Sequence, residues 1–123
     1  MKSQTFISYA LFLALLAPGL GLAQSKGDAK AGKAKYDTLC VGCHGATGKG
    51  DGAAAATLNP KPADYTNCKE MGKLSDDYLH KIIKEGGQAM KKSPMMPPWG
   101  ASLNDQDVWN VVGYVKSFCK RGR

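Results

Sequence analysis

Residues 40–44 read Cys-Val-Gly-Cys-His, and this motif is the most informative feature of the sequence. Two cysteines at this spacing can each add through sulfur to one vinyl group of the same porphyrin. The histidine that follows directly then places an imidazole nitrogen on the iron. This pattern is typical of covalent haem attachment. We predict that Cys40 and Cys43 hold one haem c and that His44 is its proximal iron ligand.

Two other uses of a Cys-x-x-Cys pair fit this chain less well. A thioredoxin-like dithiol is expected near a strand–helix–strand pattern, whereas this motif ends a helical stretch and runs into a glycine-rich loop. A structural zinc site needs four ligands, usually with a second pair at similar spacing. The remaining cysteines, Cys68 and Cys119, lie far apart in the sequence and do not supply such a pair.

Residues 1–23 have the pattern of a secretory signal peptide. Lys2 supplies positive charge, an apolar run covers residues 6–17, and small residues precede a cleavage site after Ala23. The alternative is an uncleaved anchor, but the run is shorter than the roughly 20 residues of a comfortable membrane span. We predict cleavage near Ala23, a periplasmic location without stable membrane insertion, and one domain over residues 24–123.

The segment over residues 91–100, Lys-Lys-Ser-Pro-Met-Met-Pro-Pro-Trp-Gly, sets adjacent methionines in a proline-rich frame. Prolines restrict the backbone of a free loop, so a thioether can be directed there without a helix behind it. A neutral sulfur opposite a histidine raises the reduction potential of a haem iron. A methionine that only fills a core gap would not need this frame. The pattern therefore predicts a methionine as the second axial ligand, and Met95 and Met96 are both candidates.

With these motifs in place, the chain resembles a class I bacterial cytochrome c, a small monohaem electron-transfer protein. The likeness extends over the whole mature chain and includes the glycine-rich residues 48–52 and the Met-Pro-Pro-Trp-Gly loop. The resemblance implies an all-α cytochrome c fold of three to four helices around the haem. It also implies that Met96 is the ligand, with Met95 as the alternative. A proline carbonyl is expected to orient the proximal imidazole, and Pro62 is favoured over Pro60.

Hydrophobic spacing predicts three main helices. The first covers residues 28–39, and the middle one follows the N-cap Ser75 and ends at Gly86. The last follows the N-cap Asn104 and carries an apolar stripe at helical spacing: Val108, Val111, Val112, Val115 and Phe118. The resemblance places a glycine and two tyrosines where the first and last helices cross: Gly32, Tyr36 and Tyr114.

Residues outside the motifs receive structural interpretations. In an exported protein, Cys68 and Cys119 most simply form a disulfide, the alternative being a redox-active or intermolecular pair. His80 occupies a polar position of the middle helix, so we interpret it as a surface histidine rather than an iron ligand. Trp99 and Trp109 are interpreted as packing residues.

The chain is basic, with a formal net charge of +7. Basic surfaces accelerate encounter with acidic ones, and no nucleic-acid-binding motif accompanies the charge. We predict a monomeric carrier of single electrons, not an enzyme, whose partners are redox proteins with acidic docking surfaces: a reductase, a dehydrogenase or a terminal oxidase. Lys49, Lys91 and Lys92 flank the ligand segments and are candidates for guiding docking. Two alternatives stay open, namely a dedicated haem subunit of a dehydrogenase or oxidase complex and a gas-binding or sensing haem protein.

Overall fold

The structure, a computed structural model, describes residues 26–121, and for Arg121 the backbone alone. Within that range the chain forms five helices: α1 (Ala29–Leu39), α2 (Val41–His44), α3 (Cys68–Met71), α4 (Asp76–Glu85) and α5 (Asp105–Arg121). Short 3₁₀ turns cover Ala53–Thr57 and Gln88–Met90, and these residues contain no strand. The all-α prediction is therefore confirmed. The three predicted helices are the long ones, since α2 and α3 are single turns of four residues.

The region assigned to a signal peptide, residues 1–23, lies outside the described residues, as does its predicted cleavage site. Along residues 26–121, none of the helices combines the length and the apolar character that crossing a membrane requires. The described residues 26–121 lie within the predicted 24–123 domain, whose boundaries stay a prediction.

Side-chain caps set the beginnings of the long helices. The Asp28 carboxylate accepts a hydrogen bond from the N–H of Lys30 at 2.8 Å. The Ser75 hydroxyl accepts from the N–H three residues ahead at 3.1 Å, and the Asn104 side chain does the same at 2.8 Å. Each cap pairs an N–H of the first turn that the helix itself leaves without an acceptor. Both predicted caps, Ser75 and Asn104, are therefore confirmed.

Helices α1 and α5 cross at very close range. A Cβ atom at Gly32 would overlap the backbone carbonyl of Asn110, so only glycine fits at this contact. Tyr36 is fully buried beside it, with its ring centroid 5.1 Å from that of Tyr114 and 5.5 Å from that of Phe118. The predicted placement of Gly32, Tyr36 and Tyr114 at this crossing is confirmed.

The core gathers around α5, with α1 on one side of it and α4 on the other. All five residues of the predicted α5 stripe are buried, and α4 adds Leu79 and Ile83 from the facing side. Amphipathic helices pack their apolar stripes together in this way. Leu79, Ile83, Val111 and Val115 also form part of the wall of a large cavity, so the core positions the site described below.

His80 is partly buried, which corrects its interpretation as a surface histidine. Its side chain is only 14% exposed and its Nε2 lies 3.0 Å from a carboxylate oxygen of Asp105. The imidazole stacks on the Trp109 ring at a centroid distance of 4.1 Å. The position is polar along α4, but the first turns of α5 pack over it. Trp109 acts as a packing residue, as predicted.

The predicted disulfide between Cys68 and Cys119 is present, with a Cα–Cα distance of 5.3 Å. It joins the first residue of α3 to the last turns of α5, across a sequence separation of 51 residues. The bond therefore fastens the segment that precedes α4 to the end of the C-terminal helix.

Candidate cofactor site

A cavity of about 670 Å³ lies beside the core. Its walls are mostly apolar, and α4 and α5 contribute Leu79, Ile82, Ile83, Val111 and Val115. This volume falls within the range of pockets that bury an organic cofactor. The cavity brings together every site residue predicted from the sequence: Cys40, Cys43, His44, Pro62 and Met96.

The attachment motif sits where α1 passes into α2. The N–H of Cys40 donates to the carbonyl of Tyr36 at 2.9 Å, and the N–H of His44 donates to the carbonyl of Cys40 at 2.9 Å. The chain therefore keeps a helical path, on which residues three and four apart share a face. That geometry brings Cys40, Cys43 and His44 to one wall.

Both thiols of the motif are free and half-buried. Burial, and then the proximity of Cys43, raises the pKa of the Cys40 thiol to about 11. In the chain before haem attachment, the Cys40 thiol is therefore neutral at pH 7, because an apolar cavity disfavours the thiolate.

His44 is buried, and both of its ring nitrogens have neighbours. Nδ1 lies 3.4 Å from the carbonyl oxygen of Ala63, and Nε2 lies 3.2 Å from the hydroxyl of Tyr65. Burial lowers the pKa of His44, although the Ala63 carbonyl opposes this. A neutral imidazole with its proton on Nδ1, facing Ala63, carries on Nε2 the lone pair that a metal needs.

The carbonyl that faces the imidazole belongs to Ala63 and not to Pro62, a correction of one residue. The Pro62 carbonyl points toward Gly50, where a Cβ atom would overlap it. Gly50 has a φ of +73°, which favours glycine and lets the loop turn at this point. Pro62 does line the cavity, so it contributes to the wall rather than to the orientation of His44.

The methionine loop is fastened to the end of α4 through its backbone. Trp99 and Gly100 donate their N–H groups to the carbonyls of Ile83 and Lys84, both at 3.0 Å. These are among the carbonyls that a helix leaves unpaired at its C-terminus. Trp99 also packs against the core, which agrees with its predicted packing role.

A second backbone hydrogen bond fixes the position of Met96 relative to the end of α4. Gly87 donates its N–H to the Met96 carbonyl at 2.9 Å. A Cβ atom at Gly87 would overlap the carbonyl of Ser93 and touch the Met96 side chain. The methionine loop therefore packs directly on Gly87. A glycine is required at this position because the loop approaches so closely that a Cβ atom would not fit.

The adjacent methionines differ in environment. Met96 is half-buried and packs against the core, whereas Met95 is 62% exposed. Both line the cavity. The burial of its side chain favours Met96 over Met95 as the sulfur that faces a bound cofactor.

Sequence reasoning missed Tyr65. Its ring is buried and stacks on the His44 imidazole, with a centroid distance of 4.6 Å and an interplanar angle of 15°. The only sequence signal is a large aromatic residue between polar neighbours, Asp64 and Thr66. Such a residue has no periodic context from which its burial could be predicted.

Comparison with known proteins identifies the family. Residues 29–118 match the sequence profile of the family described as cytochrome c. The chain belongs to the cytochrome c family. Cytochrome c-554(547) of Halothiobacillus neapolitanus is 34% identical over 93 residues, which cover 72% of this cytochrome c and 94% of the relative.

Two solved structures share the fold. KustC0563, a c-type cytochrome, superposes with a TM-score of 0.57 at 25% identity, covering 71% of this chain and 95% of its own. A chain of the Kuenenia stuttgartiensis reducing HAO-like protein complex Kustc0457/Kustc0458 superposes with a TM-score of 0.62 at 28% identity. That alignment covers 76% of this cytochrome c but only 43% of the other chain.

Members of this family bind haem c covalently, and the donor set of the cavity fits that cofactor. Cys40 and Cys43 share one helical turn, His44 is neutral with Nε2 able to act as a ligand, and a methionine sulfur lines the same apolar space. Soft sulfur and imidazole donors are suited to haem iron. The protein is therefore an electron-transfer haem protein of the cytochrome c family.

Proposed function

We propose that this cytochrome c is an exported, freely diffusing carrier of single electrons. Cys40 and Cys43 hold the haem, and His44 and Met96 ligate its iron. The observation that carries the proposal is that one apolar cavity is lined by all four side chains. The bound haem supplies the one-electron chemistry. With both axial positions filled, no position is left for a substrate or a gas, which favours a carrier over an enzyme or a sensor.

The surroundings of the two ligands tune the potential. The Ala63 carbonyl faces Nδ1 of His44, and a hydrogen bond there raises the basicity of the imidazole. The Met96 thioether is neutral and stabilises the reduced form. The apolar walls exclude water, which also disfavours the more highly charged oxidised state. Met96 and the walls therefore raise the reduction potential, while Ala63 lowers it.

The charge around the cavity supports partners with acidic docking surfaces. Lys61, Lys91 and Lys92 line the cavity. The ion pairs found among residues 26–121 involve other cations. These ion pairs neutralise six acidic side chains that do not line the cavity: Asp37, Glu70, Asp76, Asp77, Asp105 and Asp107. The cavity mouth is therefore left with positive charge.

Lys49 is a weaker candidate than Lys91 and Lys92. Hydrogen bonding by Thr66 is the main cause of the lowered pKa of Asp64, and the charge of Lys49 adds to it. The nearby carboxylate therefore offsets part of the positive charge of Lys49. The docking proposal accordingly rests on Lys91 and Lys92.

Small charged oxidants test this proposal without a known partner. We expect reduced, haem-loaded protein to react with hexacyanoferrate(III) faster than the difference between their reduction potentials alone predicts. The rate should fall as salt is added. Lys91→Glu/Lys92→Glu should slow this reaction several-fold and accelerate oxidation by tris(phenanthroline)cobalt(III). Stopped-flow absorption measures both rates.

The matched control is Lys30→Glu/Lys69→Glu, which changes the net charge equally at exposed positions outside the cavity lining. This variant should shift both rates much less. Equal shifts in the two variants would show that only the net charge matters, and the docking surface would then be wrong.

Export has its own test. N-terminal sequencing of the protein purified from its native host should begin near Gln24, directly after Ala23. A mature protein that retains Met1 would contradict a cleaved signal peptide. A periplasmic location would also supply the oxidising conditions in which the Cys68–Cys119 disulfide persists.

A dedicated haem subunit is the second candidate, because a chain of an HAO-like protein complex shares the fold over 76% of this cytochrome c. Size-exclusion chromatography with light scattering on natively purified protein separates the two. A monomer supports the freely diffusing carrier. A stable complex with a larger redox protein would instead support the subunit.

A further inference from the structure

We propose that Tyr65 is a positioning residue that fixes the plane of the His44 imidazole and so tunes the reduction potential. This inference rests on the proposed ligation of iron by His44. Tyr65 is buried, and its ring lies nearly parallel to the imidazole, with an interplanar angle of 15° and centroids 4.6 Å apart. The χ2 torsion of histidine has broad minima. A flat neighbour at stacking distance therefore decides which plane the imidazole takes.

The ring of Tyr65 can keep this role when the iron is ligated, whereas its hydroxyl cannot keep a hydrogen bond to Nε2 of His44. The hydroxyl lies 3.2 Å from Nε2 of His44, and iron ligation uses the same lone pair. Stacking between the two rings does not depend on that lone pair. We therefore assign the positioning effect to the aromatic ring.

The segment that carries Tyr65, residues 63–68, is held at several points; we call it the proximal strap. Tyr65 donates its N–H to the carbonyl of Gly48 at 2.7 Å. Its ring is also nearly parallel to that of Phe118, with centroids 6.3 Å apart and an interplanar angle of 18°. The Cys68–Cys119 disulfide ties the end of the strap to α5. Tyr65 therefore belongs to a layer that runs from α5 to His44.

The imidazole plane matters because Nδ1 faces the same strap. The carbonyl of Ala63 lies 3.4 Å from Nδ1. A rotation of the ring away from Tyr65 would lengthen this contact and weaken the hydrogen bond. A less basic imidazole stabilises the oxidised iron less, so the potential would rise. The orientation of the imidazole also contributes to the g-value spread of a low-spin haem.

The experiment uses haem-loaded Tyr65→Leu, Tyr65→Phe and the control Tyr114→Leu. Tyr114 is equally buried in the same aromatic cluster but packs on Tyr36 and Phe118. Electron paramagnetic resonance of the oxidised protein gives the g values, voltammetry gives the potential, and urea titration gives the free energy of unfolding. We expect Tyr65→Leu to change the g-value spread and raise the potential. Tyr65→Phe should stay close to wild type, and Tyr114→Leu should lose stability only.

Three results would overturn the proposal. Wild-type g values and potential in Tyr65→Leu would show that Tyr65 is only a core residue. An equal shift in Tyr65→Phe would assign the effect to the hydroxyl, and an equal shift in Tyr114→Leu would assign it to general loosening. A His44→Ala variant tests the underlying ligation separately. If that variant kept the wild-type low-spin spectrum, the proposed function would fail, and the role of Tyr65 would fail with it.

Discussion

The two ligand sides of the cavity are built in different ways. His44 is buried, stacked on Tyr65 and bordered by a strap that a disulfide ties to α5. Met96 is half-buried in a proline-rich loop that backbone hydrogen bonds hold against the end of α4. The histidine side is thus part of the core, whereas the methionine side rests on it. Damage to the first should cost more unfolding free energy, and damage to the second should change methionine ligation with a smaller loss of stability.

The largest effect is expected where the cofactor itself is lost. Cys40→Ala/Cys43→Ala should abolish covalent haem and most of the helix content, because the proposed haem site is a cavity of about 670 Å³ that would stay empty in a domain of modest core. Circular dichroism and a haem stain after denaturing electrophoresis measure the two losses. Full helicity in the haem-free chain would contradict a core that depends on its cofactor.

Removing the disulfide should cost less than losing the haem and should act on the histidine side. Cys68→Ser/Cys119→Ser opens a loop with a separation of 51 residues, worth about 4 kcal/mol of unfolding free energy on the chain-entropy model. Urea unfolding of haem-loaded protein measures the change. The methionine–iron bond should persist, since the disulfide lies on the other side. Two free thiols in wild-type protein by non-reducing mass spectrometry would refute the bond.

A pair of glycine substitutions compares the helix crossing in the core with the methionine side. Gly32→Ala forces a Cβ atom against the backbone of α5, and overpacking of this kind costs about 1–3 kcal/mol. Gly87→Ala pushes instead on Ser93 and Met96. We expect Gly32→Ala to lower the unfolding free energy and leave methionine ligation intact, and Gly87→Ala to weaken ligation with a smaller loss of stability. Loss of methionine ligation in Gly32→Ala, or a larger loss of stability in Gly87→Ala, would contradict this difference. Absorption spectra and urea titrations measure the two effects.

The smallest effect concerns acid. A hydrogen bond from Thr66 is the main cause of the lowered pKa of Asp64 at the start of the proximal strap. The folded state therefore gains stability that is fully present above the ordinary pKa of 3.8 and is lost as the pH falls through the lowered value. After solvent screening this gain is below about 1 kcal/mol. Between pH 5 and pH 2, the unfolding free energy should depend less on pH in Asp64→Asn than in the wild type. Identical pH dependence in the two proteins would show that the Asp64 carboxylate does not contribute.

The sequence was informative where a pattern repeats or a motif has fixed spacing. Residues 40–44, the α5 stripe and the helix caps could be predicted, because local chemistry or helical periodicity determines them. Tyr65 could not, since one aromatic residue in a polar loop has no period. The prediction favoured Pro62 over Pro60, and that the carbonyl of Ala63 faces His44 instead depends on loop torsions that composition does not reveal. The burial of His80 could not be predicted either, because it comes from α5, a contact that the pattern of α4 alone does not contain.

Absorption spectra of the haem-loaded protein, oxidised and reduced, with and without carbon monoxide, test the His44/Met96 carrier most directly. We expect a weak far-red band in the oxidised protein that disappears in Met96→Ala and remains in Met95→Ala. The reduced wild-type protein should not bind carbon monoxide, since both axial positions are filled. A wild-type protein that lacks the band and binds carbon monoxide readily would contradict the proposed ligation and point to chemistry or sensing at the iron.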